Sequence, residues 1–271
     1  MWRIHICQTG CGEYTAAGES EERMSVVGII PARYASTRFP GKPLATLAGR
    51  PMIQHVYERA CRATSLEEVL VATDDQRIFD AVHAFGGEVI MTESSHETGT
   101  DRLAEVAQRL SAAHIIVNIQ GDEPLINPDA IDAVVAPLLA DKDIPMSSVM
   151  SPLPDFVGAW DSNIVKVVAD LNGFAMYFSR APIPSPREAL TGAGPWFKHI
   201  GLYAYQRDFI LKFTKLAPTP CELIEKLEQL RALEHGYRIK MVLRQDDTSI
   251  GVDTQEDLDR VRAILEGKLG D

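Results

Sequence analysis

The chain has 271 residues, 45% of them apolar, enough to bury the core of one large α/β domain or two small ones. Its 38 acidic and 27 basic side chains leave a net charge of −11, which argues against a broad nucleic-acid-binding or anionic-membrane surface. No apolar run approaches the roughly 18 residues of a membrane helix, and Cys7, Cys11, Cys61 and Cys221 are scattered as free thiols of a reducing, cytoplasmic compartment would be.

Residues 1–23 carry no sustained periodicity after a short run from Trp2 to Cys7 and lack a signal peptide's apolar core. They read as a non-native or disordered extension, with Met24 as the natural start. From there strands and helices alternate: strand 26–30, helix 51–63, strand 69–73, helix 76–85, strand 88–92, helix 101–110 and the near-continuous apolar strand 114–120. Strands apolar on both faces and separated by helices predict a mostly parallel sheet with right-handed crossovers, a Rossmann-like α/β fold.

The second half changes character. Asn172-Gly173 between two β-rich runs predicts a hairpin over 165–178. Pro182, Pro184, Pro186 and Pro195 mark a long loop, followed by a strand over 196–205. Leu223, Leu227, Leu230 and Leu233 predict one amphipathic helix over 221–235. A strand at 239–243, a turn at 251–254 and a helix at 255–265 complete a single domain over 24–271.

Three regions carry candidate chemistry. Directly after the first strand, Arg33, Arg38 and Lys42 crowd into ten residues with Gly41, a composition suited to a triphosphate; a solvated basic turn is the plainer alternative. In Asn118-Ile119-Gln120-Gly121-Asp122-Glu123-Pro124 an acid stands where a buried strand runs out, the edge at which open α/β sheets bind ligands. Mg²⁺ takes one or two carboxylates plus substrate phosphates, so Asp122 calls for a second acid, and Asp253 is the candidate. Asp122 also suits a turn, and Asp253 equally suits an N-cap, with Glu256 completing a capping box. Between 94 and 102, Thr98, Gly99 and Thr100 open a helix whose N–H groups can meet phosphate, although Thr100 or Asp101 serves equally as a cap. Arg102 is electrostatically misplaced in a first turn, which favours a ligand role over the alternative of a surface ion pair. Thr73 and Asp74 share the same sheet edge, with N-capping the simpler account of Thr73-Asp74-Asp75. Arg180, His199 and Tyr203 bring donors into apolar surroundings, to hold a polar, acidic substrate or, for the His and Tyr, equally as buried hydrogen-bonded structural groups; Glu228 flanks the Leu-rich stripe, able to reach a pocket or to pair with Arg231.

Taken in order, the segment from Ile30 to Pro43, Ala72-Thr73-Asp74, Thr98 to Arg102, Val117 to Pro124, Tyr177 to Arg180, His199 to Tyr203, Leu227 to Arg231 and Gly251 to Thr254 resemble the 3-deoxy-manno-octulosonate cytidylyltransferases, over essentially 26–265. The resemblance implies the nucleotide-diphospho-sugar transferase-like fold, with CTP bound mainly by 24–150 and the sugar acid and a homodimer contact mainly by 151–250. It implies transfer of CMP from CTP to the anomeric hydroxyl of the sugar acid (Kdo), with pyrophosphate released, in a cytoplasmic Mg²⁺-dependent enzyme without nucleic-acid or membrane partners. Arg33, Lys42, Asp122 and Asp253 would be catalytic, the two acids holding the metal. Ala32, Arg33, Ser36, Arg38, Lys42, Thr73, Asp74, Thr98, Gly99, Thr100, Arg102 and Gln120 would contact the nucleotide. Arg102, Gln120, Arg180, His199, Tyr203, Glu228 and Gln229 would bind the sugar acid.

Residues 1–23 and the loop 181–195 depart from that pattern and are assigned no role. A cytidylyltransferase for another sugar acid, such as 8-amino-Kdo or a sialic-acid-like nonulosonate, would share the triphosphate machinery. A nicotinamide-dependent oxidoreductase would need Gly-x-Gly-x-x-Gly where Pro31-Ala32-Arg33 stands. A non-catalytic nucleotide-binding protein would share the pocket without turnover.

Overall fold

The structure is a computed structural model, and residues 24–35, 39–153, 156–187, 196–245 and 250–268 are described. The expectations for residues 1–23, Ser36, Arg38, Pro195 and the loop segment 188–195 lie outside them.

The strands are β1 (Val26–Ala32), β2 (Thr46–Leu47), β3 (Arg50–Pro51), β4 (Glu68–Thr73), β5 (Val89–Met91), β6 (Ile115–Asn118), β7 (Met146–Pro152), β8 (Lys166–Ala169), β9 (Ala175–Ser179), β10 (Phe197–Gln206) and β11 (Ile239–Leu243). The helices are α1 (Met52–Ala60), α2 (Gln76–Ala84), α3 (Gly99–Arg109), α4 (Pro128–Ala140), α5 (Phe156–Trp160), α6 (Arg207–Phe213), α7 (Pro220–Glu225), α8 (Leu230–Glu234) and α9 (Gln255–Leu265). The main sheet runs β11-β7-β10-β6-β1-β4-β5, with the β8–β9 hairpin attached to β10, and β2 and β3 pair separately as a small antiparallel ribbon. Pairing is parallel between β1, β4, β5 and β6 and between β7 and β11, while β10 runs antiparallel to its neighbours. No described helix is long and apolar enough to cross a membrane.

The period-2 alternation of β1 explains the layering. Val26, Ile30 and Ala32 face a core shared with Ile53 and Val56 of α1 and Ile131, Val134 and Leu138 of α4. Val27 and Ile29 face the opposite core, with Leu103 and Val106 of α3 and Phe209, Ile210 and Phe213 of α6. Both faces are covered, as a parallel sheet requires, and each fully buried Ile or Leu contributes about 1.5–3 kcal/mol. A smaller core of Leu47, Met52, Leu125 and Val252 seats α9 through Leu258 and Val261.

The helix expected over 221–235 is instead two. Lys226 takes a left-handed conformation at φ 55°, α7 stops, and the chain turns before α8. The leucine spacing survives the break, but Leu223 is 52% exposed while Leu227 and Leu230 are buried, so no single stripe exists. Glu228 therefore lies in the turn and not on a helix flank. Helices α4, α5 and α6 and strands β2, β3 and β7 have no counterpart among the elements read from the sequence. In β7 the polar Ser147, Ser148 and Ser151 interrupt the apolar run yet are all buried.

A carboxylate ties the edge of this scaffold to the sheet. Asp132 on α4 accepts hydrogen bonds from the N–H and hydroxyl of Thr64 and of Ser65, at 2.6–3.0 Å. Partial burial raises its pKa, but the Ser65 and Thr64 donors outweigh that and hold it below the usual carboxylate value. A lowered pKa stabilises the fold above the ordinary carboxylate range, and that contribution fades as pH falls through the folded-state value. Asp132→Ala is expected to cost about 1–2 kcal/mol at pH 7, low in the usual range because the group is half-buried. Urea denaturation of both proteins at pH 7 and below pH 3 checks this: the gap should close in acid.

Candidate active site

The loop leaving β1 is shaped by two close approaches. Gly41 sits at φ 72°, donates its N–H to the Tyr34 carbonyl at 2.9 Å, and would bring a Cβ within 3.0 Å of the Tyr34 ring. The Arg77 guanidinium stacks on that ring at 3.3 Å from its centroid, itself held by Asp75. The turn Lys42–Leu44 that follows aims Lys42 back across the sheet edge. At the end of β6, Gly121 passes so near β1 that a Cβ would lie 2.9 Å from the Pro31 carbonyl, so only glycine lets Asp122 reach the same place.

Asp253 arrives from the far end of the chain. The Val252 N–H donates to the Asp122 carbonyl at 2.9 Å, fixing the two segments side by side. The predicted Asp253–Glu256 cap does not form, because Thr254 is the N-cap of α9 with Asp257 in the capping box. That leaves the Asp253 carboxylate to face Lys42. Lys42 Nζ lies 2.8 Å from Asp122 Oδ2 and 3.2 Å from Asp253 Oδ1. Burial pulls the Lys42 pKa down, but Asp122 and then Asp253 outweigh it and hold the ammonium above its ordinary value.

These groups line a cavity of about 430 Å³ that opens at the carboxyl edge of the parallel strands. Ala32 and Arg33 enter from β1, and Thr98, Gly99 and Arg102 from the start of α3; Gln120, Asp122 and Asp253 complete the wall. Thr98, and not Thr100 or Asp101, caps α3, in a capping box with Asp101. Arg33 Nη1 donates to the Glu97 carbonyl at 3.3 Å, tying β1's exit to the loop before α3. Arg102 is 3% exposed; Nη2 is 2.9 Å from Asp74 and Nη1 donates to Thr92. The predicted nucleotide contacts Thr73 and Asp74 thus stand behind the cavity wall, Thr73 fully buried and Asp74 anchoring Arg102.

A second cavity, of about 390 Å³, lies across the loops 120–123 and 251–253. His199, Tyr203 and Gln229 line it, along with Lys198, Glu123 and Asn163. Burial lowers the His199 pKa to about 3 and drives Tyr203 well above its ordinary value, so both are neutral. Glu228 reaches from the α7–α8 turn to accept from the Thr100 hydroxyl at 2.5 Å, bracing the start of α3 from below. Burial pushes its pKa up, against Thr100 and Arg231, which favour the charged form. Arg231 itself is committed to Glu222, at 2.5 Å, with Glu228 at 3.9 Å. Arg180 lines neither cavity: Nε donates to the Glu225 carbonyl and Nη1 to the Ser162 carbonyl, bracing the hairpin base.

Sequence reasoning missed four supports: the Arg77–Tyr34 stack, the Val252–Asp122 backbone bond, Glu225 behind Arg180, and Ser148 beside His199. Each joins residues distant in the chain, and only the serines interrupting β7 carried a local signal. Among the described residues no cluster of three or more His, Cys, Asp or Glu side chains gathers to ligate a metal. The pair Asp122 and Asp253 converging on one cation is the arrangement that suits an oxygen-seeking ion completing its shell with waters and phosphates.

The Cytidylyltransferase family profile matches residues 27–240. A 3-deoxy-manno-octulosonate cytidylyltransferase of Syntrophotalea carbinolica is 57% identical, the alignment covering 90% of this chain and 100% of that protein. One of Geobacter metallireducens is 56% identical over 88% of this chain and 96% of its own. A solved CMP:2-keto-3-deoxy-manno-octonic acid synthetase complexed with CTP is 43% identical and superposes with a TM-score of 0.85, over 90% of this chain and 100% of that one. With a nucleotide-sized cavity and paired acids at the sheet edge, the chain belongs to the cytidylyltransferase family, among the 3-deoxy-manno-octulosonate cytidylyltransferases.

Proposed function

We propose that this protein transfers CMP from CTP to the anomeric 2-hydroxyl of 3-deoxy-D-manno-octulosonate (Kdo), releasing pyrophosphate and supplying CMP-Kdo for lipopolysaccharide biosynthesis in the cytoplasm. The observation that carries the reading is the Lys42 ammonium bridging Asp122 and Asp253 on the wall of the first cavity. The sugar oxygen attacks the α-phosphorus, the bond from that phosphorus to the αβ-bridging oxygen breaks, and pyrophosphate leaves with the electron pair. The hydroxyl proton passes to water.

Arg33 and Lys42 hold the β- and γ-phosphates and offset the charge that grows on the leaving group. The start of α3, at Gly99, offers its backbone N–H and the positive end of the helix to the nucleotide. Arg102 is held in place by Asp74, so its position costs nothing further when substrate arrives. Asp122 and Asp253 would hold Mg²⁺, which lowers the pKa of the attacking hydroxyl and offsets α-phosphate charge. His199, Tyr203 and Gln229 line the space left for the sugar acid, with Glu228 keeping α3 and that space in register.

The protein acts as a homodimer joined through the β8–β9 hairpin and α7. Leu171, Met176, Leu223 and Ile224 there are all more than half exposed, an apolar surface that a second copy would cover. Sedimentation should give a dimer, and Ile224→Glu with Met176→Glu should shift it to monomer; a monomeric wild-type protein refutes the assignment.

With Kdo and CTP, pyrophosphate release should exceed that with 8-amino-Kdo, N-acetylneuraminate or hexose 1-phosphates. Absence of turnover with Kdo would sink the reading. Asp122→Asn and Asp253→Asn should each lower kcat by about 10²-fold or more, and chelation should abolish turnover until Mg²⁺ is restored. A variant retaining half the wild-type kcat would remove its acid from the reaction.

A further inference from the structure

The irregularity in β10 decides how the second cavity meets its ligand. Pairing with β7 runs from Phe197 to Ile200, breaks, and resumes at Tyr203 opposite Ser148, so Gly201 and Leu202 have no register partner on β7 or on β6. Their carbonyls need donors from elsewhere. Gln120 Nε2 donates to the Gly201 carbonyl at 2.9 Å. Ser148, fully buried, places its Oγ 2.9 Å from the Leu202 carbonyl and 3.1 Å from the Ile200 carbonyl.

The same Oγ lies 2.9 Å from His199 Nε2. A serine hydroxyl has one proton, and carbonyl oxygens only accept. If that proton went to His199, two carbonyls would face the serine oxygen at contact distance with nothing between them, a costly arrangement in a dry interior. The proton therefore goes to a carbonyl, and His199 must donate through Nε2–H. Burial keeps the ring neutral, since its pKa is lowered to about 3. Nδ1 is then an acceptor, and it makes no hydrogen bond among the described residues although His199 lines the cavity.

We infer that Ser148 is a positioning residue that locks His199 as the Nε2–H tautomer, so that His199 accepts a hydrogen bond from a ligand hydroxyl and does not pair with the ligand's carboxylate. Gln120, on the wall of the first cavity, repeats the arrangement, its amide donor tied to the same irregularity and its oxygen left as the acceptor. At His199 the second cavity thus reads a hydroxyl donor. This rests on the Kdo reading for the identity of the ligand, but the tautomer does not depend on it.

The test is ¹⁵N-edited NMR of the histidine side chains in the full chain, with His199 assigned by its disappearance in His199→Gln. The free wild-type enzyme should show a protonated Nε2 and an unprotonated Nδ1 from pH 5 to 8, and Kdo should shift Nδ1 toward the hydrogen-bonded position. A protonated Nδ1 or an imidazolium in that range overturns the proposal. Ser148→Ala should mix the tautomers and raise the KM for the sugar acid about tenfold, the factor of one lost hydrogen bond, leaving the KM for CTP unchanged. Ser148→Thr, which keeps the hydroxyl, should restore both. Equal effects on the two substrates, or none, would reduce Ser148 to a packing role, and should Ser148→Ala fail to fold, the wild-type spectrum still decides. If Kdo is not turned over at all, the substrate reading fails while the tautomer result stands.

Discussion

Two carboxylates at one spot repel each other and each resists losing water, so the site exists only because something else holds Asp122 and Asp253 together. The Val252 N–H to Asp122 carbonyl bond does this with neutral backbone, independent of the charges, and the buried core under α9 keeps Val252 where that bond forms. Lys42 then supplies the opposing charge, from a position that Gly41's left-handed backbone makes possible. The bonded pair with Asp122 is the shorter and the less exposed of the two, so that is where most of the electrostatic gain resides. Every other group of the first cavity is arranged around this triangle: Arg33 anchored to the loop before α3, and Arg102 anchored to the strand end at Asp74.

The part of this legible in the sequence was what short-range pattern encodes. Strands buried on both faces read as continuous apolar runs, and α9 begins and ends where its periodicity says. Asp253 had two equally good local uses, as cap or as ligand, and only the structure shows that the next residue, Thr254, takes the cap. The Leu-rich segment 221–235 misled for a related reason: helical spacing is preserved across the left-handed turn at Lys226, because Leu227 and Leu230 pack on the same core from a turn and a second helix. Buried serines in β7 hid a central strand, since Ser147 satisfies the Val134 carbonyl of α4 and Ser148 the Ile200 and Leu202 carbonyls of the adjacent β10, demands that no local window contains.

The two cavities differ in the physics of their walls. Around Lys42 the groups are charged and partly hydrated, suited to a polyanion whose own charge rises during reaction. Around His199 two ring side chains are held neutral, His199 by a lowered pKa and Tyr203 by a raised one, while Lys198 and Glu123 bring opposite charges to the same wall. Neutral hydrogen-bonding groups add little attraction for charge, but they exact a desolvation cost from any ligand that leaves them unpaired. Discrimination between sugar acids of equal charge then has to come from hydroxyl placement, which is the kind of selectivity a polar pocket achieves best: a ligand lacking the matching hydroxyl strands a buried acceptor, whereas an added methylene is merely crowded.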